Sequence, residues 1–227
     1  MHPLIQFLEQ ARNEEEDFQK NEILKTVDEL RLQLHHSTNK ISSEKLQTLQ
    51  VARCLASGTL RRGKLRSEWD QAQILIHKWI LENKCLFNED DIFTLYSELI
   101  GEKVCSYRTR HVYTTKNRHP DPEHIPILMD YFFSVVGKNT TEHSVEHASK
   151  LRQIIVSIHP FGDGNGRLSQ VLSDFVLLRE GFLPQSFAFP GAAMMMGLPD
   201  QKVYMTPHTA FVNFAESVIH SYNVMLN

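Results

Sequence analysis

Cysteine is scarce: Cys54, Cys85 and Cys105 are odd in number, widely spaced and form no Cys-x-x-Cys pair. That argues against a disulfide framework and makes a reducing compartment the expectation. A charge excess of either sign is also lacking. With 24 basic residues against 27 acidic, net −3, the chain has no basic surplus of the kind a dedicated nucleic-acid binder carries, and no nucleic-acid partner is expected. Long apolar runs are missing too. Asp130 and Arg152 interrupt the most hydrophobic stretches, and none reaches the roughly 18 residues of a membrane span, so no membrane partner is expected. The stretch from Met1 to Asp17 holds Glu14, Glu15, Glu16 and Asp17 and lacks the apolar core of a secretory signal. A cytoplasmic location follows as the expectation, or export into a host cytosol by a route without such a signal. There is no Gly-x-x-x-x-Gly-Lys-Ser/Thr, which speaks against a P-loop ATPase.

What remains is a chain of 227 residues, 41% apolar and 22% charged, long enough for one large domain or one domain with a modest appendage. Apolar residues recur at three-to-four spacing through Phe18, Ile23, Leu24, Val27, Leu30 and Leu34, which predicts an amphipathic helix. Further helices are expected at about 43–57, 65–81, from Asp90 to Leu99, and at about 123–136, 141–158, 165–179 and 207–222. Trp69 and Trp79 are read as core. Asn88 is a cap for the helix that Gly101 ends, and Thr206 with Pro207 starts the last one. Residues 102–122 differ. Val104, Tyr107, Val112, Tyr113, Thr114 and Thr115 favour strand, with Arg108, Arg110, Lys116 and Arg118 between them, so an irregular hairpin is predicted. The class is mainly α with one small β-hairpin. Arg61 to Arg66 is read as a solvated helix start, and Gly191 to Gly197, with Met194, Met195 and Met196, as an adaptable connector.

One segment carries chemistry: Ile158-His159-Pro160-Phe161-Gly162-Asp163-Gly164-Asn165-Gly166-Arg167. Pro160 cannot continue the preceding helix, which leaves His159 at its end, facing out. Gly162, Gly164 and Gly166 permit backbone shapes closed to other residues. A glycine-rich loop entering a helix turns several N–H groups toward one point, an anion site reinforced by the helix N-terminus. Arg167 in the first turn opposes the helix dipole unless an anion is bound there. Asp163 is a hard oxygen ligand suited to a Mg²⁺ bridging phosphates. Asn165 can donate to a phosphate oxygen. His159 is the one group of the loop that accepts a proton near neutral pH. The residues point to phosphoryl or nucleotidyl transfer.

The run from His159 to Arg167 resembles the signature loop of the Fic family, His-x-Phe-x-Asp/Glu-Gly/Ala-Asn-Gly/Lys-Arg-x-x-Arg. The resemblance is clearest over residues 92–185, within an expected core of 65–185; residues 1–64 form an N-terminal helical region and 186–227 a C-terminal helical extension. It implies a Fic-type helical bundle with a β-hairpin flap over the active site. The implied activity is movement of AMP from ATP to a Ser, Thr or Tyr hydroxyl of a target protein, with Mg²⁺. Carried over by position, His159 is the general base, Phe161 the loop's apolar anchor and Asp163 the metal ligand. Gly162, Gly164, Asn165, Gly166 and Arg167 cradle the phosphates. The flap residues Arg108, Arg110, His111, Val112 and Tyr113 align the target by strand pairing.

Two departures stand out. The family's last arginine, which grips the terminal phosphate, falls on Gln170; a glutamine supplies no charge. The inhibitory Ser/Thr-x-x-x-Glu-Gly/Asn pattern of many relatives is absent, because Lys78 and Val176 stand where it needs a hydroxyl before Glu82-Asn83 and Glu180-Gly181. That absence speaks against AMP removal. Gln170 leaves open transfer of another phosphate-linked group, UMP or phosphocholine, and a catalytically weak protein-binding module is the alternative from another class. His143-Ser144-Val145-Glu146-His147 also fits the inverted zinc-protease pattern, though no glycine-flanked third ligand follows. His111, His119 and His124 are read as exposed loop histidines.

Overall fold

Two helices joined by the glycine-rich loop form the centre of the fold. In the computed structural model, which describes residues 1–36, 63–84, 87–114, 117–136, 142–185 and 206–227, the chain order is α1 (Pro3–Leu8), α2 (Glu14–His36), α3 (Gly63–Leu81), α4 (Glu89–Ile100), β1 (Tyr113–Thr114), β2 (Asn117–Arg118), a 3₁₀ turn (Pro122–His124), α5 (Ile125–Val136), α6 (Ser144–Ile158), α7 (Asn165–Arg179) and α8 (Pro207–Leu226). Helices α6 and α7 pack on each other; α5 and α8 lie against α6, while α3 and α4 lie against α7. Helix α2 joins from outside by packing on α8.

Burial follows from this order. A helix surrounded on several sides cannot keep a one-sided apolar stripe. On α6, Val145, Ala148, Leu151, Ile154, Ile155 and Ile158 are buried; on α7, Leu168, Val171, Leu172, Phe175, Val176 and Leu177 are. Phe175 of α7 meets Trp79 of α3 and Phe87 edge to face, and Trp79 and Phe87 pack tilted at 57°, which places Trp79 in the core as its spacing predicts. Helix α4 starts with a reciprocal capping box between Asn88 and Asp91 and ends at Gly101, whose φ of 70° is left-handed. No helix of the described residues is long and apolar enough to cross a membrane.

The expected elements differ in three places. Phe18 belongs to the predicted apolar stripe of α2 but is 69% exposed. The face that meets α8 holds Leu24 and Val27, and Phe18, about two turns earlier, falls off it. The hairpin is far shorter than its composition suggests. Tyr113 pairs with Arg118 and Thr114 with Asn117, antiparallel, and a bond from the His119 N–H to the Val112 carbonyl at 3.3 Å adjoins them. The last helix runs to Leu226. The predicted helix at 43–57, most of the Arg61–Arg66 cluster, the side chain of Trp69 and the Met194–Met196 connector lie outside the described residues.

Candidate active site

His159 ends α6 with φ 54° and ψ 59°, a left-handed conformation. A side chain there costs about 1–2 kcal/mol. The surrounding bonds hold it. The His159 amide donates to the Ile155 carbonyl at 2.9 Å, and the Arg108 amide donates to the Pro160 carbonyl at 2.9 Å. Nε of Arg108 donates to the His159 carbonyl at 2.7 Å. Pro160 and Phe161 then turn inward. The Phe161 ring, 2% exposed, stacks on Tyr96 of α4 with centroids 3.7 Å apart and planes 7° from parallel. Tyr107 and Phe93 flank it at 5.7 Å and 6.1 Å. Burying one such ring is worth roughly 2–3 kcal/mol.

The loop next turns out and back. Gly162 and Asp163 are exposed. The Tyr96 hydroxyl donates to the Asp163 carbonyl at 2.7 Å, so one α4 side chain holds the loop by its ring and by its oxygen. Gly164 is the N-cap of α7 at φ 74°. A Cβ there would lie 3.2–3.5 Å from Arg167, Tyr96 and Ile100, and the conformation itself excludes most side chains. Gly162 and Gly166 face open space.

No side chain caps α7. The first-turn N–H groups of Asn165, Gly166 and Arg167 have no carbonyl partner within the helix. They carry the positive end of its dipole toward the exposed side of the loop. Arg167 donates from Nη1 to the Leu99 carbonyl at 2.9 Å and brings Nη2 to 3.8 Å from Asp163. The Asp163 side chain is 95% exposed; one of its oxygens accepts the Gly164 amide at 2.7 Å. A single solvent-facing carboxylate beside an anion site suits Mg²⁺, which keeps most of its waters and takes one or two carboxylates plus phosphate oxygens.

His159 itself is half-buried, not turned fully outward as its place before Pro160 suggests. Its Nδ1 is enclosed without a well-formed hydrogen bond among the described residues. Burial first, and then the neighbouring His119, push its pKa down from 6.5 to about 4; Arg108 adds to this, while the Val156 carbonyl and Asp163 oppose it. The imidazole is therefore neutral at physiological pH.

Three side chains depart from the expected roles. Arg108 is placed by the flap pattern to meet a target, yet it is buried. Besides the His159 carbonyl, its Nη1 and Nη2 donate to the carbonyls of Arg110 and Pro120 at 2.8 Å and 2.6 Å. Three carbonyls, one at the end of α6 and two beside the hairpin, need donors, and one guanidinium fork supplies them all. The Asn165 side chain, expected on a phosphate, turns back. Oδ1 accepts the Phe161 amide at 3.0 Å and Nδ2 donates to the Phe161 carbonyl at 2.9 Å; only its backbone N–H remains for an anion. His119, read as exposed, is 2% exposed and stacks on His159 at 4.0 Å. Its local sequence gave no sign of this, since the contact joins the hairpin to α6.

The remaining candidates are placed as follows. Arg110, His111 and Tyr113 are exposed and Val112 is half-buried; His111 Nδ1 lies 3.2 Å from Asp121. Gln170 is 2% exposed, and its Nε2 has no hydrogen-bond partner among the described residues. The zinc-protease pattern dissolves. His143 is the N-cap of α6 and its Nε2 lies 3.3 Å from Asp28; His147 lies 3.4 Å from Glu142. Glu146 pairs with Arg12 and Lys20. A cap residue has left the helix, so the two imidazoles do not share a helical face. Among the described residues the clustered metal-type donors are Asp121, Glu123 and His124, at the foot of the hairpin.

The profile of the Fic/DOC family matches residues 86–177, which covers α4, the hairpin, α5, α6, the loop and nearly all of α7. The chain contains a Fic/DOC family domain. Among similar proteins, the protein adenylyltransferase Fic of Aedes aegypti is 28% identical over 205 residues, 80% of this chain and 41% of that protein. The protein adenylyltransferase Fic of Culex quinquefasciatus is 32% identical over 114 residues, 45% of this chain and 23% of the other. The chain thus spans less than half the length of these curated relatives. Among solved structures, IbpAFic2 in complex with adenylylated Cdc42 superposes with a TM-score of 0.71 at 17% identity, over 96% of this chain and 74% of that one. Fic-1 of C. elegans gives 0.68 at 20% identity, over 91% and 72%. These superpositions establish the Fic fold.

Proposed function

We propose that this chain is a protein adenylyltransferase, moving AMP from ATP to a Ser, Thr or Tyr hydroxyl of a target protein. One observation carries the reading: a neutral imidazole, His159, stands at the end of α6 across a short loop from the uncapped N-terminus of α7. The names of the curated relatives support it.

In this mechanism the backbone N–H groups of Asn165, Gly166 and Arg167 hold phosphate oxygens, helped by the exposed glycines that let the nucleotide approach. They bind more strongly as negative charge grows at phosphorus. Asp163 would hold Mg²⁺, which supplies neutralisation of the phosphate charge. Nε2 of His159 takes the hydroxyl proton. The target oxygen forms its bond to the α-phosphorus as the bond to pyrophosphate breaks. The outer edge of β1 offers backbone groups to an extended target segment, with Arg110, His111, Val112 and Tyr113 beside it. Among the described residues, β1 pairs with β2 alone.

Gln170 favours a second reading. It is uncharged and buried, so the grip on a terminal phosphate is weaker than an arginine would give; a phosphocholine donor, which has no terminal phosphate of a triphosphate to grip, has least to lose, and UMP transfer from UTP is the other alternative. The test is mass spectrometry of candidate target proteins after incubation with ATP, UTP or CDP-choline and Mg²⁺. An AMP mass on a hydroxyl residue is expected. A UMP or phosphocholine mass in its place would establish the second reading, and no added mass with any donor would refute transfer.

A further inference from the structure

The His119–His159 stack joins the hairpin to the loop. The ring centroids are 4.0 Å apart and the planes 24° from parallel. His119 follows β2, and its backbone N–H donates to the Val112 carbonyl at 3.3 Å. Its Nδ1 lies 3.3 Å from the Ser157 carbonyl. A carbonyl only accepts, so Nδ1 carries the proton there. The ring is thus tied to the hairpin by its backbone and to α6 by its side chain, and it covers one face of His159.

We propose that His119 is a positioning residue for His159: its stacked ring fixes the plane of the catalytic imidazole and shuts water from one face. The inference rests on the reading of His159 as the general base. The Val156 carbonyl faces the His159 ring without a well-formed hydrogen bond to Nδ1, and the stack adds the orientation that this weak contact leaves incomplete. Orientation by a hydrogen-bonded carboxylate is one solution for a catalytic histidine; a stacked neutral ring gives orientation without an anion that would raise the base's pKa. The groups that face the pair are Arg108 from the hairpin stem, which disfavours a charge on either ring, and Asp163 from the loop, which favours one on His159. Burial keeps His119 neutral as well, against the opposing pull of the Ser157 carbonyl.

The test compares wild-type protein with His119→Phe and His119→Ala in the full chain. Histidine titration is followed by NMR, with His159 assigned through His159→Ala, and nucleotide transfer is measured in parallel. Phenylalanine keeps a ring against His159 and removes only the electrostatic push of His119; the titration is expected to rise less than in the alanine variant and the rate to stay within about threefold. Alanine opens the face to water; the titration of His159 is expected to rise by about one unit or more, and the maximal rate to fall about tenfold with little change in nucleotide KM. An unchanged His159 titration in the alanine variant, or a tenfold rate loss in the phenylalanine variant, would overturn the proposal. If wild-type protein transfers nothing while the alanine shift appears, the coupling of the two rings stands and the transferase reading falls.

Discussion

Replacing Asn165 tests whether its side chain belongs to the loop or to the nucleotide. It makes two bonds to one residue, accepting from the Phe161 amide at 3.0 Å and donating to the Phe161 carbonyl at 2.9 Å. Both partners are buried, Asn165 at 1% and Phe161 at 2% exposure. Asn165→Ala leaves two buried backbone groups unpaired. At roughly 1–3 kcal/mol each, less what loop relaxation recovers, the loss is about 3 kcal/mol. For a chain of this size that lowers Tm by roughly 6–12 °C. Asn165→Asp keeps an acceptor for the amide but sets a carboxylate oxygen against the Phe161 carbonyl and buries a charge. Its loss is at least as large as that of alanine. Thermal and urea unfolding of the nucleotide-free protein measures both. If the side chain instead served a phosphate, alanine would leave the free protein's stability intact and weaken nucleotide binding alone. An aspartate variant within about 1 kcal/mol of wild type would refute the reasoning.

Other substitutions follow from the same geometry. Gly164→Ala forces a Cβ into the left-handed position and against Arg167 and Tyr96, and is expected to cost about 1–3 kcal/mol; Gly162→Ala, in open space, leaves the unfolding free energy within about 0.5 kcal/mol of wild type. Arg108→Ala strips donors from the carbonyls of His159, Arg110 and Pro120 and is expected to destabilise by about 2–4 kcal/mol in urea unfolding. The same variant is expected to reduce transfer even under conditions where it remains folded. The folded pKa of His159 lies below its ordinary 6.5, at about 4, so the unfolded chain binds the extra proton between these values. Stability present above pH 6.5 is therefore lost as pH falls toward 4, up to about 3 kcal/mol from this group. The difference between wild type and His159→Ala in urea midpoints across pH 4–7 isolates it.

Sequence reading reached the loop because its constraints are local. Pro160 must end α6, Gly164 must bend the chain, and His159 and Asp163 stand at fixed steps around them. Helix boundaries were legible for the same reason, since Asn88, Gly101, Thr206 and Pro207 act within one turn of themselves. The misread residues are those whose partners lie far along the chain. Arg108 resembles any flap arginine until three carbonyls converge on it, and His119 resembles any loop histidine until α6 brings His159 beneath it. Asn165 is an intermediate case. A side chain bonding to the backbone four residues earlier is a known local option, so the turn of Asn165 toward Phe161 is a departure with a local cause. Phe18 shows the limit of periodicity: the pattern located a helix, while the position of α8 chose which residues of that helix are covered.

The most direct measurement incubates a hydroxyl-bearing target protein with α-labelled ATP and Mg²⁺, using wild-type protein and His159→Ala matched for folded content by circular dichroism. Label on the target with wild type, reduced by about 10²-fold or more in the alanine variant, is the predicted result. Equal labelling by the two proteins would contradict the role given to His159 and with it the mechanism built on the loop.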